Sequence, residues 1–170
     1  MPSITQRLGV QRYEADQLYK EALTAIQKRD RKGAIAKLNE AIRLLPTNAE
    51  YWAARGLMYY EEGTDDLAKA DFERALKAYK HEMLAHYGLG LVALRDDQAE
   101  QALKHLEAAF KLDPQRPETQ YAIALAHDKA GHPADAVPWM ERAHDQFDAL
   151  GDKRKNDAQR WLTTLRRKAR

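Results

Sequence analysis

Cysteine is absent from the 170-residue chain, which excludes disulfide scaffolds, thiolate zinc sites and cysteine nucleophiles. Glycine (8) and proline (6) are scarce, too few for the many turns of a β-sandwich or barrel. No apolar run reaches the roughly 18 residues of a membrane span. The opening MPSITQRLGVQRYE lacks the apolar core of an export signal. What is abundant is alanine, at 29 residues, with 32% charged and 44% hydrophobic residues overall. Mean hydropathy is −0.74, polar for a compact domain yet apolar enough to fold, and biased toward helix. These features predict a soluble helical protein of the cytoplasm.

The net charge of +2 conceals two opposed regions. Residues 151–170 carry eight basic and two acidic side chains, while residues 1–150 carry 20 basic and 24 acidic ones. A basic tail on a mildly acidic body can mark contact with nucleic acid or an anionic membrane. It also arises where cations gather around the exposed carbonyls of a final helix.

A period of 34 residues organises the chain. Ala22, Gly56, Gly90 and Ala124 form one series, Ala34, Ala68, Ala102 and Ala136 a second, and Ala41, Ala75, Ala109 and Ala143 a third. All twelve positions are Gly or Ala, although those two types make up only 37 of 170 residues. Larger apolar residues keep the spacing at Leu38, Phe72, Leu106 and Met140. Repeats of this length are supersecondary units that bury their apolar faces only by stacking. Four units follow, 15–48, 49–82, 83–116 and 117–150, flanked by an N-terminal extension (1–14) and a basic capping helix (151–170).

Each unit holds two stretches with helical spacing of apolar residues. Gly63 and Gly131 sit between the stretches of units two and four, suited to the left-handed residue that closes a helix. Arg29 and Asp97 hold that offset in the other units. Pro46 and Pro114 stand where second helices must stop. The small residues let helix axes approach closely. In the tail, Ala158, Trp161, Leu162 and Leu165 share a face that would cover unit four. Ser3 and Gln6 have the spacing of a capping box, and residues 1–14 either prolong the first helix or stay mobile.

These units resemble the tetratricopeptide repeat (TPR) family over residues 15–150. The family pattern appears as Trp52, Gly56, Tyr59, Ala68, Phe72 and Ala75 in unit two, with Arg55 in place of the usual Leu and Lys80 in place of Pro. Unit three supplies Leu89, Gly90, Ala102, Leu106, Ala109 and Pro114, with His86 where Trp is typical, and unit four has Gln120 where an apolar residue is expected. The resemblance implies an all-α fold, a right-handed α-solenoid of antiparallel helix pairs (the TPR superhelix). Such a fold hosts many roles.

Tests for chemistry return little. Gly88-Leu-Gly90-Leu-Val-Ala93 matches a dinucleotide fingerprint in form, but that motif needs a strand before it, and here it lies inside an expected helix. The histidines form no HExxH, and His127 and His132 lack a third convergent metal ligand. No catalytic residues, no cofactor and no metal are expected; an enzyme is not predicted.

A surface remains. In the TPR superhelix the first helix of each pair lines the concave side, and its inward stripe here holds Tyr19, Leu23 and Ile26, then Leu57 and Tyr60. Units three and four add Leu84, Tyr87, Leu91, Leu94, Tyr121 and Leu125. A contiguous apolar trough usually marks a binding site, and tyrosines add stiff contact area with a polar tip; alternatively, these side chains bridge neighbouring helices. Some TPR proteins hold a carboxylate through a Lys/Asn/Arg clamp, but the matching offsets here are Tyr19, Leu23, Ala54, Leu84 and Gly88. The expected function is therefore a non-enzymatic adaptor whose groove binds an apolar or amphipathic segment of another protein, with Glu50, Glu61, Arg95, Glu118 and Lys129 on its rim. The alternatives are a holdase-like chaperone, nucleic-acid or anionic-lipid contact through the tail, and a self-associating module.

Overall fold

The computed structural model describes residues 4–170, with side chains from Leu8 onward. Among these residues the chain is all-α: α1 (Ile4–Gln27), α2 (Arg31–Leu44), α3 (Ala49–Glu62), α4 (Asp65–Ala78), α5 (Met83–Arg95), α6 (Ala99–Leu112), α7 (Pro117–Lys129), α8 (Pro133–Ala149) and α9 (Lys155–Lys168). They divide into two compact units, Met1–Gly88 and Leu89–Arg170. In the first, α1 packs on α2, α2 on α3 and α3 on α4; in the second, α6 packs on α7, α7 on α8 and α8 on α9. Residues 4–14 prolong α1 as one continuous helix. The Ser3–Gln6 capping box lies outside the described residues.

Four turns of one design separate the paired helices. Gly63 (φ 79°) and Gly131 (φ 83°) are left-handed, and so are Arg29 (φ 60°) and Asp97 (φ 56°) at the same offset. In each case the next residue's N–H returns to a carbonyl five positions back: Asp30 to Ala25, Thr64 to Tyr59, Gln98 to Ala93 and His132 to His127. This is the bond that closes a helix with a left-handed residue. Glycine takes that conformation freely, whereas Arg29 and Asp97 pay about 1–2 kcal/mol each for their Cβ atoms. The backbone pattern persists without the glycine that would announce it. The following helices begin on side-chain caps where one is present, as when Asp30 accepts from the Gly33 N–H at 2.9 Å.

The small-residue series lies in the cores. Ala22, Ala34, Ala41, Ala68, Ala75, Ala102, Ala109, Ala124, Ala136 and Ala143 are fully buried, as are Leu38, Phe72, Leu106 and Met140. A Cβ on Gly56 would stand 2.8 Å from Cδ1 and Cε1 of the Phe72 ring, and one on Gly90 would stand 2.5 Å from Cγ of Leu106. Carbon atoms need roughly 3.5–4.0 Å, so the helices meet at these points only because the side chains are missing.

Pro138 stands in the sixth position of α8, past the first turn where proline is free of cost, and it has no N–H for the helix ladder. The polar residue Gln120 is buried in α7 for a definite reason. Its Nε2 donates to the Pro114 carbonyl at 2.8 Å. The Trp52 indole N–H donates to the Pro46 carbonyl at 2.8 Å, and the His86 Nε2–H to the Lys80 carbonyl at 3.1 Å. Three chemically different side chains, 34 residues apart, satisfy the same loop carbonyl six positions earlier.

Candidate functional site

In the first unit the stripe from the first helices begins with two crossed tyrosines. The Tyr19 ring on α1 lies 5.0 Å from that of Tyr51 on α3, tilted by 37°. The Tyr19 hydroxyl donates to Glu50 Oε1 at 2.8 Å, and the Tyr51 hydroxyl donates to Asp16 Oδ1 at 2.6 Å. Burial, followed by the carboxylate each phenol faces, pushes both phenols above their ordinary range. Tyr19 therefore bridges α1 and α3 while keeping part of its ring accessible. Beyond it, Leu23 is 39% exposed, and Ile26, Leu57, Tyr60, Leu84 and Tyr87 are half-buried. Tyr19, Ile26 and Leu57 back onto the core built from Leu38, Tyr51 and Met58.

Charges surround this face. Glu82, just before α5, is half-buried; burial first, and the nearby Glu50 charge, push its carboxyl above the usual glutamate range, while the Leu84 N–H works in the opposite direction. At the other end of α1 and α3, Arg31 pairs with Glu61 at 3.0 Å over a depression of about 330 Å³ that reaches Ile26 and Met58.

In the second unit Leu91, Tyr121 and Leu125 are half-buried, whereas Leu94 is only 7% exposed and offers almost no accessible surface. Tyr121 and Leu125 rest on the core of Met140, Phe147 and Leu162. The Tyr121 ring stands 6.4 Å from Phe147. Its hydroxyl is raised by burial and by Asp157, with Trp161 opposing, so it faces α9. Tyrosine at this offset joins helices in both units, and the leucines beside it carry the accessible apolar area.

The basic tail is largely engaged. Ala158, Leu162 and Leu165 are buried, and Trp161 packs against the same core. Arg154 meets Asp152 at 2.6 Å and Glu118 at 2.8 Å with its guanidinium 4.6 Å from the Phe147 ring centroid. Lys155 meets Asp148, Arg166 meets Glu141, and Lys168 meets Asp128. The expected rim residue Glu118 is thus a partner of Arg154, and Lys129 pairs with Asp97.

Sequence reasoning passed over two features. Arg55, at a position where the repeat usually has Leu, spans Asp71 at 2.7 and 2.9 Å and Asn39 at 2.6 Å. Its guanidinium also lies 4.9 Å from the Trp52 ring centroid. Acidic residues occupy 16, 50, 118 and 152 on the 34-residue grid, with Leu84 at the intervening position, a signal that would have found Asp16, Glu50 and Glu118 but not Glu82.

The tetratricopeptide repeat model matches residues 19–79, 66–103 and 87–150, most of the chain. The chain belongs to the tetratricopeptide repeat (TPR) family. This TPR chain is 33% identical over 81 residues to WspC, a probable biofilm formation methyltransferase of Pseudomonas putida, a match covering 48% of the chain but 19% of WspC. The chain thus spans about a fifth of that relative. The photosystem I assembly protein Ycf3 of Synechococcus elongatus is 25% identical over 146 residues, covering 74% of the chain and 83% of Ycf3. Among solved structures, the first TPR of Spaghetti (RPAP3) bound to the HSP90 peptide SRMEEVD has a TM-score of 0.67 at 17% identity, covering 71% of this chain and 98% of that one. That likeness establishes the helical-repeat solenoid class. No described helix is long and apolar enough to cross a membrane.

Proposed function

We propose that this TPR chain is a non-enzymatic adaptor of the cytoplasm that captures an apolar or amphipathic segment of another protein on the apolar faces of the first helices within its units. The observation that carries this reading is the leucine series. Leu23, Leu57, Leu91 and Leu125 recur every 34 residues and remain partly open to solvent, although the seam between helices is built from other positions. Apolar area kept at the surface of a polar chain favours a binding role. The capture of a peptide by the RPAP3 repeats supports the mode. The ligand here differs in chemistry, because Tyr19, Leu23, Ala54, Leu84 and Gly88 provide no cation for a terminal carboxylate.

Contact through the basic tail is disfavoured. Arg154, Lys155, Arg160, Arg166 and Lys168 already face carboxylates of the same unit. Substituting Leu57→Asp together with Leu91→Asp tests the reading by fluorescence polarisation with labelled amphipathic peptides. Binding should disappear while the helical circular dichroism of the full chain is retained. Undiminished binding by a folded double variant would refute it.

A further inference from the structure

The apolar face of the first unit has an acidic end. Asp16 and Leu23 on α1, and Glu50 and Leu57 on α3, are each seven residues apart, so each pair shares one side of its helix about 10 Å apart along the axis. Glu82 lies close enough to Glu50 and Tyr19 for its charge to act on both. Two of these carboxylates are held in place, Glu50 by the Tyr19 hydroxyl and Asp16 by the Tyr51 hydroxyl. Three cations of the first unit are engaged elsewhere: Arg31 with Glu61, Lys37 with Glu21 and Arg55 with Asp71. Among the described residues none of Asp16, Glu50 and Glu82 is in an ion pair. Glu50 in the first turn of α3 and Glu82 just before α5 stand where helix N-termini favour carboxylates, and the remaining repulsion of Glu82 by Glu50 is relieved by a cation brought from outside.

We propose that the occupant of this face is an amphipathic helical segment whose leucine-like side chains rest on Leu23 and Leu57 and whose Lys or Arg, about two turns away, meets Glu50 and Glu82. This rests on the adaptor reading and adds the charge of its ligand. Tyr19 belongs to both halves of the surface: its ring extends the apolar floor and its hydroxyl orients Glu50. The preference is the reverse of one for a peptide bearing a carboxylate.

Three labelled synthetic peptides test it, each about 18 residues long with the same leucine stripe, and with Lys, Gln or Glu at the two positions flanking one end. With the full chain at low salt, the Lys peptide should bind roughly tenfold more tightly than the Glu peptide, a difference screened by added salt. In Glu50→Gln with Glu82→Gln the ratio should fall to about twofold or less with the Gln peptide unaffected, since only the local charge has changed. A control, Glu40→Gln with Glu73→Gln, removes two exposed acids of the same unit and should preserve the ratio. Equal binding of Lys and Glu peptides, or a ratio that survives Glu50→Gln with Glu82→Gln, overturns the charge preference while leaving the adaptor reading in place. If none of the three peptides binds, both fall.

Discussion

Gly88→Ala is the sharpest perturbation of the packing. Phe72 is fully buried, and its ring lies against two glycines, Gly56 and Gly88. A Cβ at Gly56 would lie 2.8 Å from one edge of the ring, and a Cβ at Gly88 would overlap the ring tip and stand 2.5 Å from Cε2. The ring therefore has to move by about 1 Å or more to reach van der Waals separation. In an exposed helix Gly→Ala gains about 1 kcal/mol from propensity. Here overpacking costs about 1–3 kcal/mol, and the size of the overlap places the effect at the upper end. The net loss is about 1–2 kcal/mol, or a fall in Tm of roughly 2–8 °C for a chain of this size.

The other repeats suggest the compensating change. Sixteen residues before Gly88 stands Phe72, whereas sixteen before Ala54 and Ala122 stand Leu38 and Leu106. The bulkiest residue of the series faces the smallest partner. In a Phe72→Leu background Gly88→Ala should accordingly become neutral or stabilising, giving a coupling of about 1–3 kcal/mol in a double-mutant cycle followed by urea denaturation. Stabilisation of the otherwise unchanged protein by Gly88→Ala, or strict additivity with Phe72→Leu, would refute the reasoning.

The remaining predictions concern charge, the cap and the turns. Glu82 has its folded pKa raised, so its contribution to stability is present below the ordinary value of 4.5 and is lost as pH rises through the higher folded value. Glu82→Gln should then be more stable than the parent at pH 7, with the difference closing in acid below the ordinary value; thermal melts across pH check this. Leu165→Ala in the capping helix should cost about 2–5 kcal/mol, whereas Arg166→Ala, which removes an exposed pair with Glu141, should stay within about 0.5–1 kcal/mol by the same chemical denaturation. Arg29→Gly should stabilise by roughly 1 kcal/mol by relieving its left-handed backbone, and a loss of stability would show that the side chain contributes more than the strain.

The fold was legible because its rule is periodic. Gly or Ala at twelve positions 34 apart marks where helices touch, and the packing of Phe72 on Gly56 and of Leu106 on Gly90 is the physical content of that rule. Gly88 keeps the period with Ala54 and Ala122, but the spacing does not show that its missing side chain makes room for the Phe72 ring. Arg29 and Asp97 obscured two turns because backbone hydrogen bonds, not residue type, enforce their conformation. His86 and Gln120 read as departures from the pattern because side-chain identity hides a shared hydrogen-bond geometry. The candidate face was only partly legible. Helical projection places Tyr19, Leu23 and Leu57 together, but it cannot separate the small rotation that leaves Leu23 39% exposed from the one that covers Leu94 to 7%. Nor does it show hydroxyl–carboxylate bonds between residues 31 or 35 positions apart.

Backbone amide chemical shifts, followed while the Lys-bearing amphipathic peptide is titrated into the full chain, test the account at its centre. The largest changes should fall on Tyr19, Leu23, Glu50 and Leu57, with α2, α4 and α9 little affected. Changes concentrated on α9 or on the second helices, with those four residues unmoved, would contradict it.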